Sequence, residues 1–226
     1  MSAELTEGSR APLSARGRRT RERLIAAART VFEERAFDAT RMGDVAQAAG
    51  VSHGTVYTWF ATKEELLHGT VDSVTEQMYE VLSTPDAKDP IDRIALANER
   101  YLIVHRQTAR LMEVLAQAAV NDASFRAVLA NLRSTHVDRV AKTIVKLQKE
   151  GLAVPTLDPH TSAAALCAMV EGFARFWLDG DRPAGRSKKA QATSVETLTE
   201  LWARSLGLVY PSAPPDKNPP DKKPSI

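Results

Sequence analysis

Gly50 falls between two short stretches of helical spacing, and that arrangement leaves few ways to fold. The segment 44–57 reads Asp-Val-Ala-Gln-Ala-Ala-Gly-Val-Ser-His-Gly-Thr-Val-Tyr. Val45, Val51 and Val56 are spaced to close a small core between two helices. Ala46 presents a small side chain where the first helix meets the second. At the turn the backbone needs positive φ, which Gly50 adopts without steric cost. Ser52 offers a hydroxyl to cap the second helix, whose first residues are short and polar. This is the pattern of a helix-turn-helix. Such a unit lays its second helix in a major groove, with the N-terminal residues toward base edges.

The charge distribution agrees. The whole chain of 226 residues carries a formal charge of only +2. Between positions 10 and 32, however, stand seven arginines (10, 16, 18, 19, 21, 23 and 29) against one acid, Glu22, a local balance of +6. Positive charge gathered at one end is the expected footprint of a chain that meets phosphate there; a solvated arm is the alternative. Cys167 is the only cysteine, so no intrachain disulfide forms, which suits a reducing compartment. It reads as a small buried hydrophobe, with redox sensing as the alternative. Residues 1–9 lack an apolar signal core. The uncharged run 45–62 is too rich in Gly, Ser, Thr, Gln and His to span a bilayer. The expectation is a cytoplasmic protein without membrane contact.

Along the rest of the chain the periodicity is helical, and no period-2 run suggests a strand. Leu24, Ala28, Val31 and Phe32 place a first helix over 20–35. The next two run over 41–49 and 52–60. Thr62 and Glu65 form a capping-box pattern that opens a fourth helix, with Leu67, Val71, Val74 and Met78 along its apolar stripe. Pro85 and Pro90 bracket a connection. Segments 91–106 and 109–120 read as two helices. Asp122 caps a long one, with Phe125, Leu129, Leu132, His136, Val140, Ile144 and Leu147 on one face, ended by Gly151 and Pro155. The nearly all-apolar 160–178 and the stripe of Val195, Leu198, Trp202 and Leu206 complete the set. The predicted fold is all-α, with about nine helices. It divides into a flexible basic arm (1–17), a three-helix domain that carries the helix-turn-helix (18–63), a larger helical domain (64–208) and a disordered Pro/Lys-rich tail (209–226).

The residues Phe37-Asp38-Ala39-Thr40, Val45-Ala46, Ala49-Gly50-Val51-Ser52, Gly54-Thr55-Val56-Tyr57, Phe60 and Lys63-Glu64-Glu65-Leu66-Leu67 together resemble the N-terminal signature of the tetracycline-repressor (TetR) family. The likeness covers 18–71, under a third of the chain, with turn, core and cap residues in register. It implies roles for particular residues. Thr40 and Arg41 would hold phosphate. Ser52 would start the reading helix, and His53, Gly54, Thr55 and Thr58 would lie against base edges. Tyr57 would donate its hydroxyl to phosphate, Trp59 would flank the backbone, and Lys63 would contact phosphate. Tyr57 packing inward, a water-mediated His53 and a merely solvated Lys63 are the alternatives. Gly43 stands where many members carry a polar or basic residue, which removes one contact.

The resemblance also implies a homodimer on a palindromic operator, joined through the last two helices, and a small-molecule effector. One short recognition helix reads few base pairs, at about 1–3 kcal/mol for each good bidentate contact, so two half-sites are needed. For the effector, the polar or aromatic residues on apolar helical faces are Tyr79, Tyr101, His105, Met112, His136, Met169, Phe173 and Trp177. They suit a hydrophobic or planar molecule, though each also reads as core. The histidines show no metal-ligand spacing, and no cofactor or catalytic motif is present in the sequence. The expectation is a sequence-specific transcriptional regulator, a repressor released by its effector, and not an enzyme. A ligand-binding helical enzyme and a nonspecific architectural DNA binder are the competing classes.

Overall fold

The computed structural model describes residues 14–82, 87–178 and 187–209. Among these are eight α-helices and no strand: α1 (Ala15–Ala39), α2 (Met42–Ala49), α3 (His53–Trp59), α4 (Lys63–Leu82), α5 (Pro90–Asn121), α6 (Ala123–Lys149), α7 (Pro159–Phe173), continued by a π-helical segment (Ala174–Leu178), and α8 (Lys188–Ser205). The greater part of the arm assigned to 1–17 and of the tail assigned to 209–226, and Pro85, lie outside the described residues. Ala15–Gly17 is already helix: Ser14 Oγ accepts the Gly17 N–H at 3.2 Å and caps α1 five residues before the expected start.

The described residues pack into two compact units. The first takes those up to 82 together with Ile103–Thr135; the second takes those of 84–102 and those from His136 onward. The packing boundary therefore does not fall at one chain position near 63. It crosses α5 after Leu102 and α6 after Thr135. In the first unit Leu24, Ala28 and Phe32 of α1, Val45 of α2, Val56 of α3 and Leu66 and Leu67 of α4 share one core with Leu111, Leu115 and Phe125. In the second, Ile94, Ile144, Leu147, Ala163, Leu166, Cys167 and Leu206 pack together. Leu102, Val170, Ala174 and Leu198 form a smaller cluster beside Tyr101, Met169, Phe173 and Trp202. Burial pushes the Cys167 thiol up to about 12, which suits its place as a small core residue with almost no thiolate near neutral pH.

Segments 91–106 and 109–120, expected as two helices, are one. Nothing at Gln107 or Thr108 breaks the ladder. Thr108 is buried, and its hydroxyl folds back onto the Val104 carbonyl at 2.9 Å. The caps explain the other boundaries. Asp89 accepts from the Ile91 N–H at 2.7 Å ahead of Pro90. Asp122 accepts the Ser124 N–H and hydroxyl, both at 2.7 Å, and these bonds hold its carboxyl below the usual range. Asp158 caps α7 with Pro159 at its first position, and Ser187 caps α8. After α8, Gly207 turns with φ of 74°. A Cβ there would lie 2.5 Å from Val154 Cγ2, so this turn admits only glycine.

Candidate nucleic-acid interface

The three N-terminal helices hold each other through short, local devices. α2 ends at Gly50, with φ 62° and ψ 41°, and the Val51 N–H returns to the Ala46 carbonyl at 3.0 Å. Ser52 Oγ accepts the Thr55 N–H at 3.2 Å and opens α3. Thr62 Oγ1 accepts the Glu65 N–H at 3.1 Å, while the Glu65 carboxylate reaches back to the Ala61 N–H at 2.7 Å. The capping box read from the sequence is thus present, its second arm landing one residue early. Gly69 lets the Phe60 ring lie against α4, for a Cβ there would stand 2.9 Å from Phe60 Cε1. Val45, Ala46, Val56 and Phe60 are buried as expected, and Val51 is half-buried against them.

With Val56 inward, the opposite side of α3 is left in water. Ser52, His53, Gly54, Tyr57 and Thr58 are exposed and Thr55 is half-buried. A Cβ at Gly54 would meet nothing within 4 Å, so α3 presents bare backbone there. The His53 ring packs edge-on to Tyr57 at 5.0 Å. Its other side faces Gly43, where a Cβ would touch it at 3.5 Å. The missing side chain at Gly43 therefore gives His53 its berth. Tyr57 stays 47% exposed, so it does not pack inward. Arg41 is exposed at the head of α2, where its N–H donates to Asp44 at 3.1 Å.

Two of the expected phosphate ligands make bonds within the protein. Thr40 is buried, its hydroxyl donating to the Ala36 carbonyl at 2.7 Å and its N–H to that of Phe37 at 3.2 Å. No donor of Thr40 is left for phosphate. Lys63 Nζ donates to the Phe37 carbonyl at 2.9 Å and lies 4.3 Å from the centre of the Phe37 ring. It serves the carbonyl end of α1, where a cation is favourable. Trp59 is half-buried, and its ring lies over the first turn of α1 at Gly17.

Two family models match this chain. Residues 24–70 match that for bacterial regulatory proteins of the tetR family, and 94–208 match the C-terminal domain of the transcriptional regulator EthR. The HTH-type transcriptional regulator EthR of Mycobacterium tuberculosis is 30% identical over 188 residues, which span 81% of this chain and 85% of that protein. This chain belongs to the tetR family. The HTH-type transcriptional regulator TtgR of Pseudomonas putida is 26% identical over 70% of this chain and 80% of its own length. A crystal structure of a transcriptional regulator from Rhodococcus sp. Rha1 shares the fold, with a TM-score of 0.68 at 22% identity, covering 84% of this chain and 99% of that one.

Like its tetR-family relatives, the chain is a DNA-binding transcriptional regulator and not an enzyme. Among the described residues no helix is long and apolar enough to cross a membrane. The eight residues expected around an effector do not form one group within either unit. Tyr79, His105 and Met112 belong to the first unit. Tyr101, His136, Met169 and Phe173 belong to the second. There Tyr101 and His136 stack with ring centres 5.6 Å apart, and Tyr101, Met169 and Phe173 each pack against the cluster of Leu102, Val170, Ala174 and Leu198. The side chain of Trp177 lies outside the described residues. Sequence reading placed Trp202 only in an apolar stripe. Its indole nitrogen is buried with no hydrogen-bond partner among the described residues. A buried indole N–H ordinarily has one, and Trp202 packs against the same cluster as Tyr101, Met169 and Phe173.

Proposed function

We propose that this regulator is a homodimeric, cytoplasmic repressor that holds a near-palindromic operator and releases it when a small planar or hydrophobic effector binds. The observation that carries the reading is α3: seven residues, one buried face and one bare polar face. In this reading residues 18–63 engage DNA and 64–208 bind effector and partner. Ser52 opens the reading helix. His53, Gly54, Thr55 and Thr58 meet base edges, directly or through water. Tyr57 and Arg41 hold the flanking phosphates.

Dimerisation through α7 and α8 is supported by what those helices leave uncovered. Thr161, Ala165, Ala168 and Phe176 are exposed along one side of α7 and its π-helical continuation, and Leu201 is exposed on α8. Phe176, at 84% exposure, is a large apolar group that a second copy would cover. For the effector, Tyr101, His136, Met169 and Phe173 supply aromatic and soft apolar surface, and Trp202 Nε1 supplies a donor. An effector shifts DNA binding only by its differential affinity for the two poses of the paired reading heads.

Selection of bound duplexes from a random pool tests this reading. The expected product is a palindrome whose half-sites are set by one helical turn of DNA or a multiple of it. Enrichment of no common sequence, with affinity set by salt alone, would favour the nonspecific binder instead.

A further inference from the structure

The arginines at the head of α1 do not act alike. Arg23 donates to the Ala49 carbonyl at 2.5 Å, at the end of α2. Arg21 lies 5.7 Å from the centre of the Phe60 ring. Arg29 pairs with Glu33 at 2.9 Å and also donates to the Gln107 carbonyl. These three guanidiniums tie α1 to its neighbours in the domain. Arg16 and Arg19 are exposed, as Arg23 is, and share its side of α1 at steps of three and four residues, two turns and one turn nearer the N-terminus.

Trp59 determines where that pair stands. It is the last residue of α3, and its ring covers the first turn of α1. A Cβ at Gly17 would stand 3.3 Å from Trp59 Cη2, closer than side chains ordinarily pack. Glycine at 17 thus brings the N-terminal turn of α1 down onto the C-terminal end of the reading helix. A helix in the major groove has a phosphate ridge on each side of it. The first turn of α1, fastened to the C-terminal end of α3, therefore travels with that helix when it meets DNA.

We infer that Arg16 and Arg19 form a phosphate clamp beside the reading helix, and that Trp59, seated on Gly17, is a positioning residue for the clamp. The inference rests on the regulator reading above. It gives the basic cluster of the sequence a division of labour: Arg21, Arg23 and Arg29 brace the fold, while Arg16 and Arg19 meet the DNA backbone. Contacts of this kind add affinity without adding sequence preference.

The test measures affinity for the selected operator over a range of salt concentrations. In a complex of two half-sites each substitution removes two phosphate contacts. The slope of log affinity against log salt should therefore fall by about two for Arg16→Ala, by about two for Arg19→Ala and by about four for both. The preferred sequence should stay the same. Trp59→Phe, which keeps an aromatic ring but shortens it, should weaken binding in the parent protein and change little in the doubly substituted one. Unchanged slopes in the arginine variants would overturn the clamp. Fully additive effects of Trp59→Phe would overturn its positioning role. If the parent protein selects no operator at all, the regulator reading fails instead, and that outcome is distinct from the other two.

Discussion

Ala36 has φ of 62° and ψ of 171°, a backbone conformation that belongs almost solely to glycine. It ends the regular part of α1 after Arg35 and starts the turn that delivers Phe37 to Lys63. A side chain there stores strain, of order 1–3 kcal/mol. Ala36→Gly should therefore stabilise the protein by about 1 kcal/mol net of the added chain entropy, raising the thermal midpoint by roughly 2–4 °C. A lower midpoint would mean that position 36 is not left-handed. His136 offers a second test at this scale. Burial, and then the charge of Arg139, hold its pKa below the ordinary histidine value. The unfolded chain then takes up a proton that the folded one resists. Stability contributed by neutral His136 is present above about 6.5 and declines as pH falls below it. His136→Gln should flatten the loss of urea midpoint between pH 7.5 and 5.5; an equal loss in both proteins would refute the assignment.

Among the elements, the sequence was most legible where a single residue acts on its immediate neighbours. Gly50, Ser52, Thr62 with Glu65, Asp122 and Gly151 mark helix ends by cap chemistry that depends on neighbours within five residues. The buried and exposed faces of α3 followed from the same short spacing. Partners far apart in the chain were not legible. Nothing near Lys63 indicates that its ammonium crosses to Phe37, 26 residues earlier, and nothing near Trp59 indicates a seat at Gly17. Likewise 91–106 and 109–120 read as two helices, whereas the one helix α5 runs through Thr108, which is buried with its hydroxyl bonded back to Val104. The inward engagement of Lys63 has a measurable consequence. Lys63→Ala should cost about 1 kcal/mol of stability through loss of the α1 cap and the ring contact, while leaving the salt slope of operator binding as it was. A slope lower by about two with stability unchanged would restore Lys63 to the phosphate contacts.

For the molecule as a whole, the proposed dimer supplies specificity by pairing two reading heads, because one seven-residue helix touches too few bases. The dimer face proposed for α7 and α8 makes this testable without any knowledge of the operator. Leu201→Glu places like charges near a twofold axis, and sedimentation should show a monomer with an unchanged helical spectrum. A dimer of unchanged affinity would move the interface elsewhere. The bare face of α3, however, is proposed to read base edges, and base preference reports on that face alone. Duplex selection with the protein and with a variant carrying His53→Ala and Thr58→Ala should give two palindromes of equal spacing. In the variant, preference should relax at the same few positions of both half-sites and persist elsewhere. Identical preferences from both proteins would mean that this face of α3 does not read bases.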